Sequence, residues 1–254
     1  MPEARPAATI MVLRDGVDGV ELLMLRRSSK ASFFPHAWVF PGGRVDAADA
    51  AVAVRGGIDG VPASENSFAV AAIRECFEEA GAWLGDGDPS DGLREALNSR
   101  QATLLDADGL VADLERLELW SWWVTPEHEP KRYDTRFFIT ALRPDEVHEI
   151  AHDEVETVSS RWIRPADALT ADGFGLAPPT FITLHQLTGF ATTAEIMAAA
   201  ARRSARPIMP EHGRDADNNF IIALPGDPLH PASEPACEFT RVVLREGRWH
   251  GENQ

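Results

Sequence analysis

Arg74-Glu75-Cys76-Phe77-Glu78-Glu79-Ala80-Gly81 concentrates charge in a way that a purely structural segment would avoid. On a helix, residues three and four apart are neighbours, so Glu75, Glu78 and Glu79 project from one face. Three carboxylates that close repel one another unless a cation joins them. A hard divalent ion such as Mg²⁺ or Mn²⁺ does this, since it is held by carboxylate oxygens, waters and substrate phosphates. Arg74 stands four residues before Glu78 and can brace it. Ala69, Ile73, Cys76, Phe77, Ala80 and Leu84 form an apolar stripe at helical period on the other side, which anchors the helix on a core. The expectation is a metal-binding helix.

Upstream, the apolar run 37–40 breaks into Pro41-Gly42-Gly43, a strand ending in a tight turn whose backbone can approach a ligand closely. Taken together, the Gly-Gly turn and the Arg-Glu-x-x-Glu-Glu-x-Gly helix resemble the Nudix box, the signature of metal-dependent hydrolases of nucleoside diphosphates linked to another moiety. The second half of the box matches at every charged and glycine position. The first half departs: the step from Gly43 to Arg74 is 31 residues, about 17 longer than in the compact box. The upstream glutamate of the pattern is therefore ambiguous between Glu65 and Asp49. Residues 46–63, rich in Ala, Gly and Asp, read as an inserted surface loop.

Arg27, Ser28, Pro41, Gly42, Gly43 and Asp46 narrow the resemblance to the Nudix branch of coenzyme A and acyl-coenzyme A diphosphatases, as do the stretches 134–138 and 178–180. The resemblance implies Mg²⁺ or Mn²⁺ on Glu75, Glu78 and Glu79, with the Gly42 carbonyl as an extra ligand and Arg74 in the catalytic group. Arg26, Arg27 and Gly43 would bind substrate, with Lys30 beside them. Glu154 or Glu156 would be a distal carboxylate, a role evenly balanced against an ordinary acidic loop. The implied reaction cleaves coenzyme A or an acyl-coenzyme A to 3′,5′-ADP and (acyl-)phosphopantetheine. Alternatives are an ADP-ribose or NADH diphosphatase, or a Nudix-fold binding module without turnover; such modules typically lose box glutamates, and all three are present here.

These groups need a scaffold. Runs 8–14 and 20–26 around the turn 15–19 predict a hairpin. A strand at 37–40 precedes a helix over about 65–84, ended by Asp86-Gly87-Asp88-Pro89. A second helical stretch spans about 91–118 with a break near 106–109. Strands 119–124 and 135–142 pair antiparallel, strand 155–163 follows, and Pro165 opens a short helix. Beyond about 175 come helices from 178 and over 192–203, then strands 220–224 and 239–244. Composition and pattern alone give α/β. The resemblance implies an α/β/α sandwich with a mixed sheet over 1–174, and an extension of helices and strands over 175–254. That extension is expected to pack on the domain, cover the groove or form a homodimer interface.

A formal charge of −16 argues against a nucleic-acid surface, which needs a basic stripe. The partner is expected to be a small nucleoside diphosphate derivative, for which two or three basic groups suffice. No run approaches a membrane span, the first residues lack an apolar signal core, and the two cysteines are far apart. A cytoplasmic, reducing setting is the expectation. His148-Glu149-Ile150-Ala151-His152 matches the H-E-x-x-H zinc signature of metalloproteases, but no following helix supplies a third ligand and β-branched residues come next. It is read as a chance match. Trp120, Trp122 and Trp123 are read as core and sheet-face residues rather than a base-stacking platform.

Overall fold

Strand β1 (Arg5–Gly16) is apolar on both faces, and this sets the architecture. Ala8, Ile10 and Val12 point into one core while Met11 and Leu13 point into another. A strand buried on both sides must sit inside a sheet that is covered above and below. The structure, a computed structural model, describes residues 2–29, 34–143, 146 and 157–254.

Gly16 and Gly19 close the hairpin to β2 (Gly19–Arg27), whose alternation repeats the pattern: Leu23 and Leu25 face the first core, Leu22 and Met24 the second. Two short strands, β3 (Trp38–Val39) and β4 (Gly42–Arg44), pair with β2 and β1 respectively, so the Pro41-Gly42 turn crosses from one strand to the other. The inserted segment contributes β5 (Val54–Arg55), and the charged helix is α1 (Asn66–Ala80). There follow β6 (Gly85–Asp86), α2 (Leu93–Asn98), β7 (Val111–Asp113), β8 (Glu118–Val124), β9 (Tyr133–Ala141) and β10 (Thr157–Ile163). The main sheet runs β10-β2-β1-β9-β8, parallel between β1 and β9 and antiparallel at the other pairs.

Helix α1 packs on the first face. On the second lie α3 (Pro165–Thr170), α4 (Pro178–Leu187) and α5 (Thr193–Ala200), with Phe181, Leu184, Leu187 and Ile196 in the same core as Met11, Met24 and Trp120. This is the expected mixed α/β sandwich. The chain beyond 200 adds β11 (Pro207–Ile208) to the main sheet beside β8, in parallel. It then forms an antiparallel sheet, β12 (Glu211–Arg214), β13 (Phe220–Ala223), β14 (Arg241–Arg245) and β15 (Arg248–Glu252). Ile222, Leu224 and Val242 of this region share the second core with α4 and β8. Among the described residues no helix is long and apolar enough to cross a membrane.

Three local expectations need correction. The metal helix stops at Ala80, not 84, because Gly81 adopts φ 75° and donates its N–H to the Phe77 carbonyl, a left-handed cap. The stretch 91–118 is helical only over α2. Arg100 turns to positive φ, and Leu104, Leu110, Leu114 and Leu117 reach the first core from two 3₁₀ turns and β7, an irregular spacing that imitates helical period. The insertion is more than a surface loop: Val52 and Ile58 are buried against α1, and β5 pairs with β7.

Candidate active site

The buried face of α1, through Ala69, Ile73, Cys76, Phe77 and Ala80, rests in the core that holds Ala8 and Ile10 of β1. Burial pushes the Cys76 thiol up to about 12, so it stays protonated and inert. The glutamates emerge at the edge of this contact. Glu79 is itself buried and accepts the Gly42 N–H at 3.0 Å, tying the helix to the glycine turn. Gly43 faces Glu75 so closely that a Cβ there would stand 2.3 Å from its Oε1. With glycine there the carboxylate lies directly against the backbone, and a side chain would have to push it aside.

Arg74 organises the rest. Its guanidinium is buried, with Nε and Nη2 on the two oxygens of Asp49 at 2.9 and 3.1 Å, Nη1 on Glu75 at 2.9 Å and Glu78 at 3.1 Å, and Nη2 on the Arg44 carbonyl at 2.8 Å. Burial disfavours its charge, but Asp49, Glu75 and Glu78 outweigh that and raise its pKa further. Asp49 is buried too, and caps its own 3₁₀ turn through the Asp46 N–H. Of the two residues left ambiguous by the sequence, Asp49 reaches Arg74, whereas Glu65 pairs with Arg136 at 3.0 Å. Four carboxylates stand around one arginine, those of Asp46, Asp49, Glu75 and Glu78, and Glu79 lines the same cavity. Burial first, and Asp46 and Asp49 after it, push the Glu78 carboxyl up despite Arg74.

These groups line a cavity of about 540 Å³. The lining also includes Arg27, Arg44 and Arg100, with Tyr133, Thr135 and Asn98. The Arg27 Nε is buried and has no hydrogen-bond partner among the described residues. Arg26 is exposed and is not among the lining residues, as expected for its neighbour on a strand, whose side chain points the other way. Lys30, His148, His152, Glu154 and Glu156 lie outside the described residues.

Several contributors escaped the sequence reading. Arg94 of α2 donates to the Glu78 and Glu79 carbonyls at 2.9 Å each, and Asn98 to the Glu78 carbonyl at 3.1 Å. They satisfy the last carbonyls of α1 and place a cation at its negative end. Nothing local marks them. Arg44 and Arg100 had a weak signal at best, as isolated basic residues in polar segments. Trp120 and Trp123 are core residues, while Trp122 stacks under Arg136 with its guanidinium 3.5 Å from the ring centroid.

A glycine turn locked onto a helix of three glutamates, on a mixed sheet covered on both faces, defines a class of hydrolase, and sequence comparison agrees. Residues 4–98 match the NUDIX domain and residues 57–187 the NUDT19 Nudix domain. The chain belongs to the Nudix hydrolase family. Among its relatives is the acyl-coenzyme A diphosphatase NUDT19 of Gallus gallus, 30% identical over 83% of this chain and 73% of that one. Its counterpart in Homo sapiens is 28% identical over 91% and 80%. A NUDIX hydrolase from Alicyclobacillus acidocaldarius superposes with a TM-score of 0.69 at 29% identity, covering 78% of this chain and 97% of that structure.

Proposed function

We propose that this Nudix hydrolase is a divalent-metal-dependent diphosphatase of coenzyme A and its acyl esters, releasing 3′,5′-ADP and (acyl-)phosphopantetheine. The observation that carries the reading is a cavity whose lining combines five carboxylates, four of them paired with Arg74, with three further arginines. The relatives named acyl-coenzyme A diphosphatases support the substrate class.

The donor set suits a hard cation. All candidate ligands are oxygens, Glu75, Glu78 and Glu79 with the Gly42 carbonyl, which fits Mg²⁺ or Mn²⁺ rather than a thiolate-seeking metal. Their negative charge exceeds what Arg74 balances, and Gly43 provides a cradle that any side chain would fill. When bound, the cation would neutralise diphosphate oxygens and lower the pKa of an attacking water. The chain's own residues do the positioning. Arg74 Nη1 holds Glu75 and Glu78 together, the Gly42 N–H fixes Glu79, and Arg94 anchors the carbonyls behind them. Arg27, Arg44 and Arg100 would receive substrate phosphates; the Arg27 Nε, without a partner among the described residues, is a buried donor that an anion would satisfy.

The test is a comparison of kcat/KM for an acyl-coenzyme A, coenzyme A, dephospho-coenzyme A, ADP-ribose and NADH with Mg²⁺ present. Coenzyme A esters are expected to lead, with the dephospho form poorer because the arginines lose an anion. A clear preference for ADP-ribose or NADH would move the enzyme to another Nudix substrate class.

A further inference from the structure

A second cluster lies away from the carboxylate helix. His128 and Glu129 belong to the connection between β8 and β9, and His212 lies on β12 of the C-terminal sheet. His128 Nε2 and His212 Nδ1 are 2.9 Å apart, and Glu129 Oε1 stands 3.8 Å from the first and 3.5 Å from the second. A hydrogen bond between the imidazoles accounts for the shortest side only. The carboxylate oxygen is too far from both nitrogens for good hydrogen bonds, yet it faces both.

The triangle has a simpler chemical explanation. A point roughly 2.0 Å from all three atoms exists for those sides, which is the length of a Zn–N or Zn–O bond. Two imidazoles and one carboxylate are a borderline donor set for Zn²⁺ and its first-row neighbours, unlike the all-oxygen site of α1. From these observations we propose that His128, Glu129 and His212 form a transition-metal site of the Zn²⁺ type, independent of the catalytic carboxylates.

His212 is suited to the role, because it is partly buried and lies on a strand paired within the C-terminal sheet. Phe220 of β13 packs edge-on against its ring, with centroids 5.3 Å apart, and fixes its orientation. The consequence is mechanical. The connection runs on to Tyr133, which lines the active cavity, so a metal here would staple that rim to the C-terminal sheet. Fourth-ligand chemistry is left to solvent, because His128 is exposed.

The full-length chain, stripped with chelator, would be dialysed against Zn²⁺ in a large excess of Mg²⁺, and bound zinc measured by mass spectrometry of the metal. A parallel sample with Co²⁺ would report coordination by its visible absorption. The expectation is about one zinc per chain, a four-coordinate Co²⁺ spectrum and a rise in Tm on adding zinc. His212→Ala and His128→Ala should each weaken binding at least ~100-fold and lose the Tm response. His128 is exposed, so that variant keeps the fold and circular dichroism can confirm it. Glu78→Gln should retain the zinc, which separates this site from the catalytic one. Zinc absent from the wild-type chain, kept by both histidine variants, or lost in His148→Ala or Glu78→Gln instead would overturn the proposal.

Discussion

Two buried charge clusters in this molecule use the same chemistry to opposite ends. In the loop after β13, Asp227 is buried and takes both its oxygens to Arg241 of β14, at 2.5 and 2.9 Å, with the Leu229 N–H on it as well. One anion meets one cation, and the hydrogen bonds overcome burial to hold the Asp227 carboxyl below the usual range. At α1, Arg74 is equally buried but faces several carboxylates, and Glu78 is held above the usual range. A balanced pair is complete in itself. An unbalanced cluster leaves carboxylate charge over, and on the function proposed above a cation answers that surplus.

The comparison breaks first at the glutamates. Glu78→Gln and Glu79→Gln keep size and helix propensity while removing charge, so turnover at saturating Mg²⁺ should fall at least ~100-fold with the fold retained. Steady-state rates beside circular dichroism check this, and near-normal rates in both variants would remove the site assignment. The reverse behaviour is expected of the balanced pair. Arg241→Met strands a buried carboxylate and should cost on the order of 3 kcal/mol in denaturant unfolding, while kcat of the folded fraction changes little.

The same pair predicts a pH signature. Because the folded pKa of Asp227 lies below its unfolded value, its stabilisation is present above the unfolded pKa and is lost as pH falls through the folded one. The Tm gap between wild type and Asp227→Asn should therefore be largest near neutrality and close in acid. A gap that held constant down to strongly acidic pH would mean the residue stabilises by shape rather than charge.

Smaller effects sharpen the substrate side. Arg27→Ala should lower kcat/KM for coenzyme A about tenfold, the worth of one charge-assisted hydrogen bond, and lower it less for dephospho-coenzyme A. Equal losses on both substrates would detach Arg27 from the 3′-phosphate. His148→Ala and His152→Ala should leave hydrolysis within about twofold of wild type, as the reading of H-E-x-x-H as a chance match requires.

What could be read in the chain followed the range of the interaction. Carboxylates at i, i+3 and i+4 are a local pattern, so the face of α1 was legible, and the apolar runs of β1 and β2 announced a hairpin, whereas the covered mixed sheet was expected only from the family resemblance. Asp49 was one of two candidates for the upstream acid, but its grip on Arg74 spans 25 residues and nothing in a segment of Ala, Gly and Asp chose it over Glu65. Val52 and Ile58, the two side chains that fasten the insertion to the core, were hidden in that same composition. Arg94 acts through backbone carbonyls of α1, a role that no side-chain motif encodes. Strands β12 and β15, short and polar or rich in aromatics and charge, carry little alternation of their own and take their form from the neighbours they pair with.

The account turns on one claim, that the surplus of carboxylate at α1 is there to hold a cation for diphosphate cleavage. The direct measurement incubates chelator-treated enzyme with an acyl-coenzyme A, with and without added Mg²⁺, and follows 3′,5′-ADP and acyl-phosphopantetheine by mass spectrometry. Both products should appear together, only after Mg²⁺ is restored, and not with Glu79→Gln. Cleavage that persists through chelation, or no cleavage of coenzyme A esters at any Mg²⁺ concentration, would contradict it.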